Sequence, residues 1–189
     1  MRMRFFGDSY DVVKRFLRHT LAPEAKWVAF PMFTHEVTAV EISDFEAFLS
    51  MRVVSPKVLT SSSNREAHFS ASARDRHIFI DPDTGIKLKP SKRADAAKYV
   101  FGPELVALCA KKHDRLLLVF DQSVPRGSER DALIEKLDYF RENGLSGFAY
   151  LSHACFLVLS RSSIACILAR KRLLATHLPQ TRLVSANNA

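Results

Sequence analysis

Aspartates occupy the positions of this 189-residue chain that are best placed for chemistry. Each follows a segment predicted to be a β-strand, and ligands of open parallel sheets bind beyond the carboxyl ends of the strands. The four candidate catalytic residues are Asp8, Asp81, Asp83 and Asp121. Converging carboxylates can hold Mg²⁺ or Mn²⁺, here with Asp81 and Asp121 as the metal ligands. Such ions activate water for the hydrolysis of phosphodiesters.

Each aspartate also has a structural interpretation. An aspartate after a strand often forms a turn or caps a helix. Asp8 could cap the first helix, and Asp81-Pro-Asp-Thr-Gly85 is a good turn sequence. The functional interpretation is favoured because aspartates recur at the same position after predicted strands. No single aspartate favours it alone.

Basic residues predict a polyanionic partner. The chain has 28 Lys and Arg against 20 Asp and Glu, a net charge of +8, which favours DNA or RNA. The candidate phosphate-binding residues are Lys87, Lys89, Lys92, Arg93, Arg126, Arg130, Arg170, Lys171 and Arg172. The alternatives are a solvated surface for the loop lysines and a helix-dipole interaction for residues 170–172.

Glycine and cysteine usage excludes several function classes. The chain has six glycines, and none lies between Gly7 and Gly85. The glycine-rich turns of dinucleotide-binding folds and P-loops are absent, as are the GxSxG elbow and the HExxH zinc motif. The three cysteines have no CxxC spacing and are predicted to be small core side chains: Cys109, Cys155 and Cys166.

Strands and helices alternate along the chain. Strands are predicted at 3–7, 26–30, within 52–60, and at 77–80, 115–120, 147–151, 155–159 and 182–185. Helices are predicted to begin near Ser9, Ser43 (with Glu46 as a capping box), Ser63, Pro103, Ser128 and Ile164. This order predicts an α/β fold, a three-layer Rossmann-like sandwich with a mostly parallel sheet and a C-terminal antiparallel hairpin.

Within that fold, residues 77–80 and 116–120 are expected to be adjacent interior parallel strands. His153, in the hairpin turn, is interpreted as an exposed residue without a functional role. Residues 1–185 are predicted to form one domain and 186–189 a frayed tail. The absence of a signal peptide or an apolar span predicts a cytoplasmic protein without a membrane partner.

Residues 76–160 resemble the second half of Rossmann-like methyltransferases. In that family a strand ends in a [DN]-P-P-[YF] motif, which Asp81 and Pro82 match, while Asp83 and Thr84 replace its last two residues. The resemblance implies S-adenosylmethionine as the cofactor. The segment Phe79-Ile-Asp-Pro-Asp-Thr-Gly85, with the later Lys98-Tyr-Val, also resembles an uncharacterised bacterial group with an Asp-Pro-Asp-[Asn/Thr]-Gly signature.

Three functional hypotheses follow. The first is a nuclease-like, metal-dependent phosphodiesterase that acts on nucleic acid with the four aspartates. The second is a divergent S-adenosylmethionine-dependent methyltransferase. The third is a non-catalytic Rossmann-like module that binds nucleic acid through its basic surface.

Overall fold

The computed structural model describes residues 3–70, 77–90, 96–111 and 113–186, which form a three-layer, Rossmann-like α/β sandwich. The strands are β1 (Trp27–Pro31), β2 (Arg52–Val53), β3 (His77–Asp81), β4 (Gly85–Lys87), β5 (Tyr99–Phe101), β6 (Leu117–Asp121), β7 (Ser146–Leu151), β8 (Cys155–Ser160) and β9 (Leu183–Ser185). The helices are α1 (Ser9–Leu21), α2 (Ala39–Leu49), α3 (Arg65–Ser70), α4 (Gly102–Ala110), α5 (Glu129–Glu142) and α6 (Ser163–Leu174). Short 3-10 helices span Met3–Phe5 and Gln180–Arg182.

Seven strands form one sheet in the order β2-β1-β3-β6-β8-β7-β9. The strands β2, β1, β3 and β6 are parallel, and β8 is antiparallel to both of its neighbours. The prediction that β3 and β6 are adjacent, parallel and interior is confirmed. The predicted C-terminal hairpin is also confirmed, by β7 and β8. A separate parallel pair, β4 and β5, lies outside this sheet.

Helices cover both faces of the seven-stranded sheet. Successive side chains of a strand point to opposite faces, so Phe79 belongs to one core and Ile80 to the other. The first core contains residues of α1, α2 and α6, and the second contains residues of α3, α4 and α5. We call these two sides the α1 face and the α5 face. No helix among the described residues is long and apolar enough to cross a membrane.

The N-terminal segment differs from the prediction. Residues 3–7 do not form a strand, because Met3–Phe5 form a 3-10 helix and the chain then turns directly into α1. The Asp8 side chain accepts hydrogen bonds from two backbone N–H groups in the first turn of α1, at 2.8 and 3.2 Å. Asp8 is therefore the N-cap of α1 and does not follow a strand.

The start of α2 also differs from the prediction. The capping box is formed by Thr38 and Glu41, earlier in the chain than the predicted Ser43 and Glu46. Glu46 instead accepts a hydrogen bond from the backbone N–H of Val53 at 2.6 Å. Its carboxylate thereby ties the short strand β2 to α2.

Trp27, the only tryptophan of the chain, marks the amino end of the parallel strands. It is buried, and its indole N–H donates to the carbonyl of Ala22 at 3.2 Å. Its ring lies edge-on against His77, with the ring centroids 5.0 Å apart. The carboxyl ends of the same strands lie at the opposite end of the sheet and include Asp81 and Asp121.

The three cysteines are free and buried, which confirms their prediction as core side chains. Burial raises the pKa of each thiol, Cys109, Cys155 and Cys166, to about 12. The thiols are therefore neutral and are poor nucleophiles at physiological pH.

Candidate functional site

A cleft with a volume of about 440 Å³ lies at the carboxyl ends of β3 and β6, beside the start of α1. We call it the Asp81 cleft. Its aromatic lining residues are Phe5, Phe6, Tyr10 and Phe120. Its charged lining residues are Asp8, Asp11, Lys14, Asp81 and Asp83. The position agrees with the general location of ligands in open α/β sheets.

Lys14 is the buried centre of the charged lining. Its ammonium donates to Asp11 Oδ1 and to Asp81 Oδ2, both at 2.9 Å. Burial by itself lowers the pKa of a lysine, but here the two carboxylates outweigh burial and the pKa of Lys14 is raised. Lys14 is therefore an ammonium ion between two carboxyl groups. Burial raises the pKa of Asp81, against the opposing attraction of Lys14 and of the N-terminal ammonium.

Asp81 presents an acceptor to the cleft. The residue is 1% exposed, and its Oδ2 is bound to Lys14. Its Oδ1 accepts no hydrogen bond from the described part of the chain. Asp11 differs, because its second oxygen accepts a hydrogen bond from the backbone N–H of Gly7 at 2.8 Å. Asp81 Oδ1 is therefore a carboxylate oxygen in the cleft lining that receives no donor from the described residues.

Aromatic rings form flat walls beside this acceptor. Tyr10 and Phe120 meet edge to face with their centroids 5.6 Å apart, and Lys14 Nζ lies 4.5 Å from the Phe120 centroid. Phe5 is 53% exposed at the cleft, although large aromatic side chains are usually buried. The cleft thus combines an apolar wall with a buried negative charge.

Asp121 belongs to a different network. It is fully buried, and its Oδ2 lies 2.5 Å from Lys136 Nζ. Its Oδ1 accepts hydrogen bonds from the Ser123 hydroxyl at 2.6 Å, the Ser123 N–H at 3.0 Å and the Ile86 N–H at 3.2 Å. Gly85, with φ of 149°, packs so closely on this carboxylate that a Cβ there would overlap Asp121 Oδ1. Asp121 therefore fixes the β4 segment to the end of β6.

The metal site of Asp81 and Asp121 stays a prediction, but the strand register separates the two side chains. Ile80 pairs with Val119, so Asp81 is level with Phe120 and Asp121 lies one residue further along β6. Because side chains alternate between faces, Asp81 points to the α1 face and Asp121 to the α5 face. Each carboxylate has a buried lysine partner there. In the described ranges, no three His, Cys, Asp or Glu side chains are grouped closely enough to hold a metal ion.

The other two predicted aspartates do line the Asp81 cleft. Asp8 reaches it from the N-cap of α1, and Asp83 from the turn after β3. Their predicted role next to Asp81 is thus compatible with their positions, although Asp8 also has the capping role that its residue type favours.

The predicted phosphate-binding residues are dispersed. Lys87 lies over the ring of Tyr99, 4.5 Å from its centroid, and Lys89 lies in a groove with acidic residues of α5. Arg130 donates to the backbone carbonyl of residue 181 at 2.7 Å. Arg126 borders a second cavity, which adjoins the Asp81 cleft.

The basic group at 170–172 lies on α6, and Lys92 and Arg93 lie outside the described residues. Arg172 donates to the carbonyl of Leu21 at 3.0 Å and so helps to join α6 to α1. Lys171 is exposed. Binding of nucleic acid by this group stays a prediction.

Sequence reasoning missed Lys14, Asp11 and the aromatic wall. Lys14 has a recognisable signal, because it is spaced with Leu17 and Leu21 on the buried stripe of α1. A lysine on such a stripe requires a buried carboxylate partner. The carboxylate that pairs with Lys14 is set by the packing of α1 against the end of β3, and a single sequence does not show this tertiary contact.

Fold and cleft together define the class: a Rossmann-like α/β domain with an aromatic and acidic cleft at the carboxyl ends of its parallel strands. No family model matches the chain, and no curated protein or solved structure matches it either. The resemblance to methyltransferases therefore stays a prediction.

Proposed function

We propose that the protein binds nucleotides or nucleic acid through a base with an exocyclic amine, and that this base occupies the Asp81 cleft. Adenine and cytosine carry such an amine, which is a hydrogen-bond donor. The observation that carries the proposal is the buried Asp81 carboxyl group in the cleft lining, whose Oδ1 has no hydrogen-bond donor among the described residues. Like the third hypothesis, this function is non-catalytic binding, but the proposed ligand site is the Asp81 cleft and not the basic surface.

The charge of the lining favours a donor over an anion. Four aspartates and one lysine line the cleft, so a phosphate group placed there would face an excess of negative charge. An amine would instead form a charge-assisted hydrogen bond with Asp81. Hydrogen bonds to charged groups contribute about 1.5–3 kcal/mol.

The aromatic wall favours a planar ligand. Stacking of a base on an aromatic side chain contributes roughly 1–3 kcal/mol. Proteins that bind an extruded base combine such stacking with hydrogen bonds to the edge of the base. Tyr10 and Phe120 would supply the stacking and Asp81 the edge contact. The volume of about 440 Å³ lies within the usual range of small-molecule sites.

In the methyltransferases that the chain resembles, the motif matched by Asp81 and Pro82 lies at the target base, although Thr84 here replaces the aromatic residue that stacks on that base. The methyl donor has no such support. The family holds S-adenosylmethionine at a glycine-rich turn after the first strand, whereas here β1 continues into Met32 and Phe33, both fully buried. These residues do not fit the amino-acid end of the cofactor, and we propose no methyl transfer.

The metal-dependent phosphodiesterase hypothesis has less support than base binding. It requires Asp81 and Asp121 to hold one ion, yet they lie on opposite faces of the sheet with lysine partners. Titration with Mg²⁺ distinguishes the two functions. Tight Mg²⁺ binding that is lost in Asp81→Asn would favour the phosphodiesterase over base binding.

Calorimetric titration with adenosine and purine riboside tests the proposal. Purine riboside has a hydrogen atom where adenosine has its amine and carries no donor on that edge of the base, so Asp81 Oδ1 would be left without a partner. A site built to bind a donor rejects an analogue that lacks the donor. We expect adenosine to bind at least about tenfold more tightly, which corresponds to about 1.4 kcal/mol. Equal affinities would contradict the proposal.

The matching substitution is Asp81→Asn, which removes the charged acceptor while Asp11 still pairs with Lys14. We expect adenosine affinity to fall about tenfold or more with an unchanged circular dichroism spectrum. Asp114→Asn is the control, because Asp114 is exposed before β6 at the other end of the sheet. Wild-type adenosine affinity in Asp81→Asn would refute the assignment.

A further inference from the structure

A second cavity, of about 410 Å³, adjoins the Asp81 cleft. Tyr10 and Gln122 line both spaces, so the two meet at the Tyr10 ring. Arg126, Glu129 and His153 are among the other lining residues of the second cavity. We call it the Arg126 cavity.

We propose that the Arg126 cavity binds the phosphate group of the nucleotide whose base occupies the Asp81 cleft. The inference rests on the proposed function and extends it from a base to a nucleotide. A ligand that spans Tyr10 would present its amine on one side of the ring and its phosphate on the other.

Arg126 is the first group that fits a phosphate. Its side chain is exposed and has no hydrogen bond or ion pair to any residue that the structure describes. A guanidinium presents several N–H donors in one plane, a geometry that matches phosphate oxygens. Arg126 therefore has its full donor capacity for a ligand.

His153 is the second group. Its ring lies against Tyr10, with centroids 4.4 Å apart and planes inclined by 31°. Its Nε2 lies 3.2 Å from the Ser9 hydroxyl, which leaves Nδ1 without a partner among the described residues. The ring thus supports the shared tyrosine and provides a polar edge on the phosphate side.

The acidic residues of the Arg126 cavity are already engaged. Asp121 is fully buried and is bound by Lys136. Glu129 accepts a hydrogen bond from the backbone N–H of Gly127 at 2.9 Å and attracts Arg126 at longer range. Arg126 and His153 thus supply hydrogen-bond donors in this cavity, whereas carboxylates dominate the lining of the Asp81 cleft. This opposite polarity is the polarity of a nucleotide.

Titrations with adenosine and adenosine 5′-monophosphate test the inference. We expect the monophosphate to bind about tenfold more tightly to the wild type, since a charged hydrogen bond is added. The advantage should shrink as salt is raised, because exposed charges are screened. Monophosphate affinity equal to or weaker than adenosine affinity would overturn the phosphate site, while a failure of adenosine to bind would overturn the proposed function itself.

Arg126→Gln should abolish the preference for the monophosphate and leave adenosine affinity unchanged. Arg126→Lys should restore part of the preference, because the positive charge returns without the planar donors. Arg161→Gln is the control, since Arg161 is exposed after β8 at the opposite end of the sheet. A monophosphate preference that survives in Arg126→Gln would refute the assignment of Arg126.

Discussion

Replacing Lys136 with methionine tests whether Asp121 has a structural role. The substitution keeps most of the length of the side chain but removes the ammonium 2.5 Å from Asp121 Oδ2. Asp121 is fully buried. Its charge would lose the only ion-pair partner that it has within the described part of the chain.

The contacts of Asp121 set the expected magnitude. Removing one partner of a buried ion pair costs about 3–5 kcal/mol, because a buried charge is left uncompensated. Asp121 would keep its hydrogen bonds from Ser123 and Ile86, so we expect the lower end, about 3 kcal/mol. A domain stability of roughly 5–15 kcal/mol is sufficient for the variant to fold.

Urea unfolding followed by circular dichroism measures this loss. Lys171→Met removes an exposed lysine on α6 and should change the unfolding free energy by less than about 0.5 kcal/mol. The double variant Asp121→Asn, Lys136→Met should recover part of the loss, since no uncompensated charge is then buried. A loss below about 1 kcal/mol in Lys136→Met would refute the structural role.

Other perturbations address the turn, a buried histidine and the basic helix. In urea unfolding, Gly85→Ala should lower the unfolding free energy more than Gly127→Ala does. Both glycines have positive φ, but a Cβ at Gly85 would overlap Asp121, whereas a Cβ at Gly127 meets nothing within 4 Å. Equal losses in the two variants would contradict this expectation. Burial, with a contribution from Arg65, lowers the pKa of His68 from 6.5 to about 4. The neutral histidine therefore contributes its full stabilisation above pH 6.5, and this contribution is lost as the pH falls from 6.5 towards 4. The wild type should therefore lose about 1–2 kcal/mol more than His68→Gln between pH 7 and pH 5 in urea unfolding, and parallel losses would exclude this cause. Charge reversal of the α6 group should weaken nucleic-acid binding in a filter assay and lower the salt slope by about 0.7–0.9 per lost phosphate contact, whereas an unchanged slope would place the contacts elsewhere. The residues reversed are Arg170, Lys171 and Arg172.

The interior strands were predictable because their signal is local. The unbroken apolar runs of β3 and β6, with a helix between them, leave few arrangements other than adjacent parallel strands. The short segment at residues 3–7 has the composition of a strand, but the capping of α1 by Asp8 and the packing of Phe6 on Phe45 give it another conformation. Such contacts depend on residues that are distant in the sequence.

The candidate site was predictable only in part, because the register between strands is not encoded locally. Both Asp81 and Asp121 end apolar runs, as expected, yet a shift of one residue in the pairing of β3 with β6 places them on opposite faces. The lysine partners of these aspartates were not predictable for the same reason, since Lys14 and Asp81 are 67 residues apart in the chain.

Trp27 lies far from the Asp81 cleft, so its fluorescence can be followed independently of ligand binding there. Its indole lies at the amino end of β1, and the Asp81 cleft lies beyond the carboxyl ends of the neighbouring strands, roughly 13 Å away along a five-residue strand. Its fluorescence reports the integrity of the sheet and should be insensitive to a ligand in the cleft. The phenol of Tyr10, in contrast, lines the cleft itself. Excitation of tryptophan alone thus follows unfolding in an unlabelled sample, and a ligand in the cleft would act on Tyr10, one of the four tyrosines, without changing that signal.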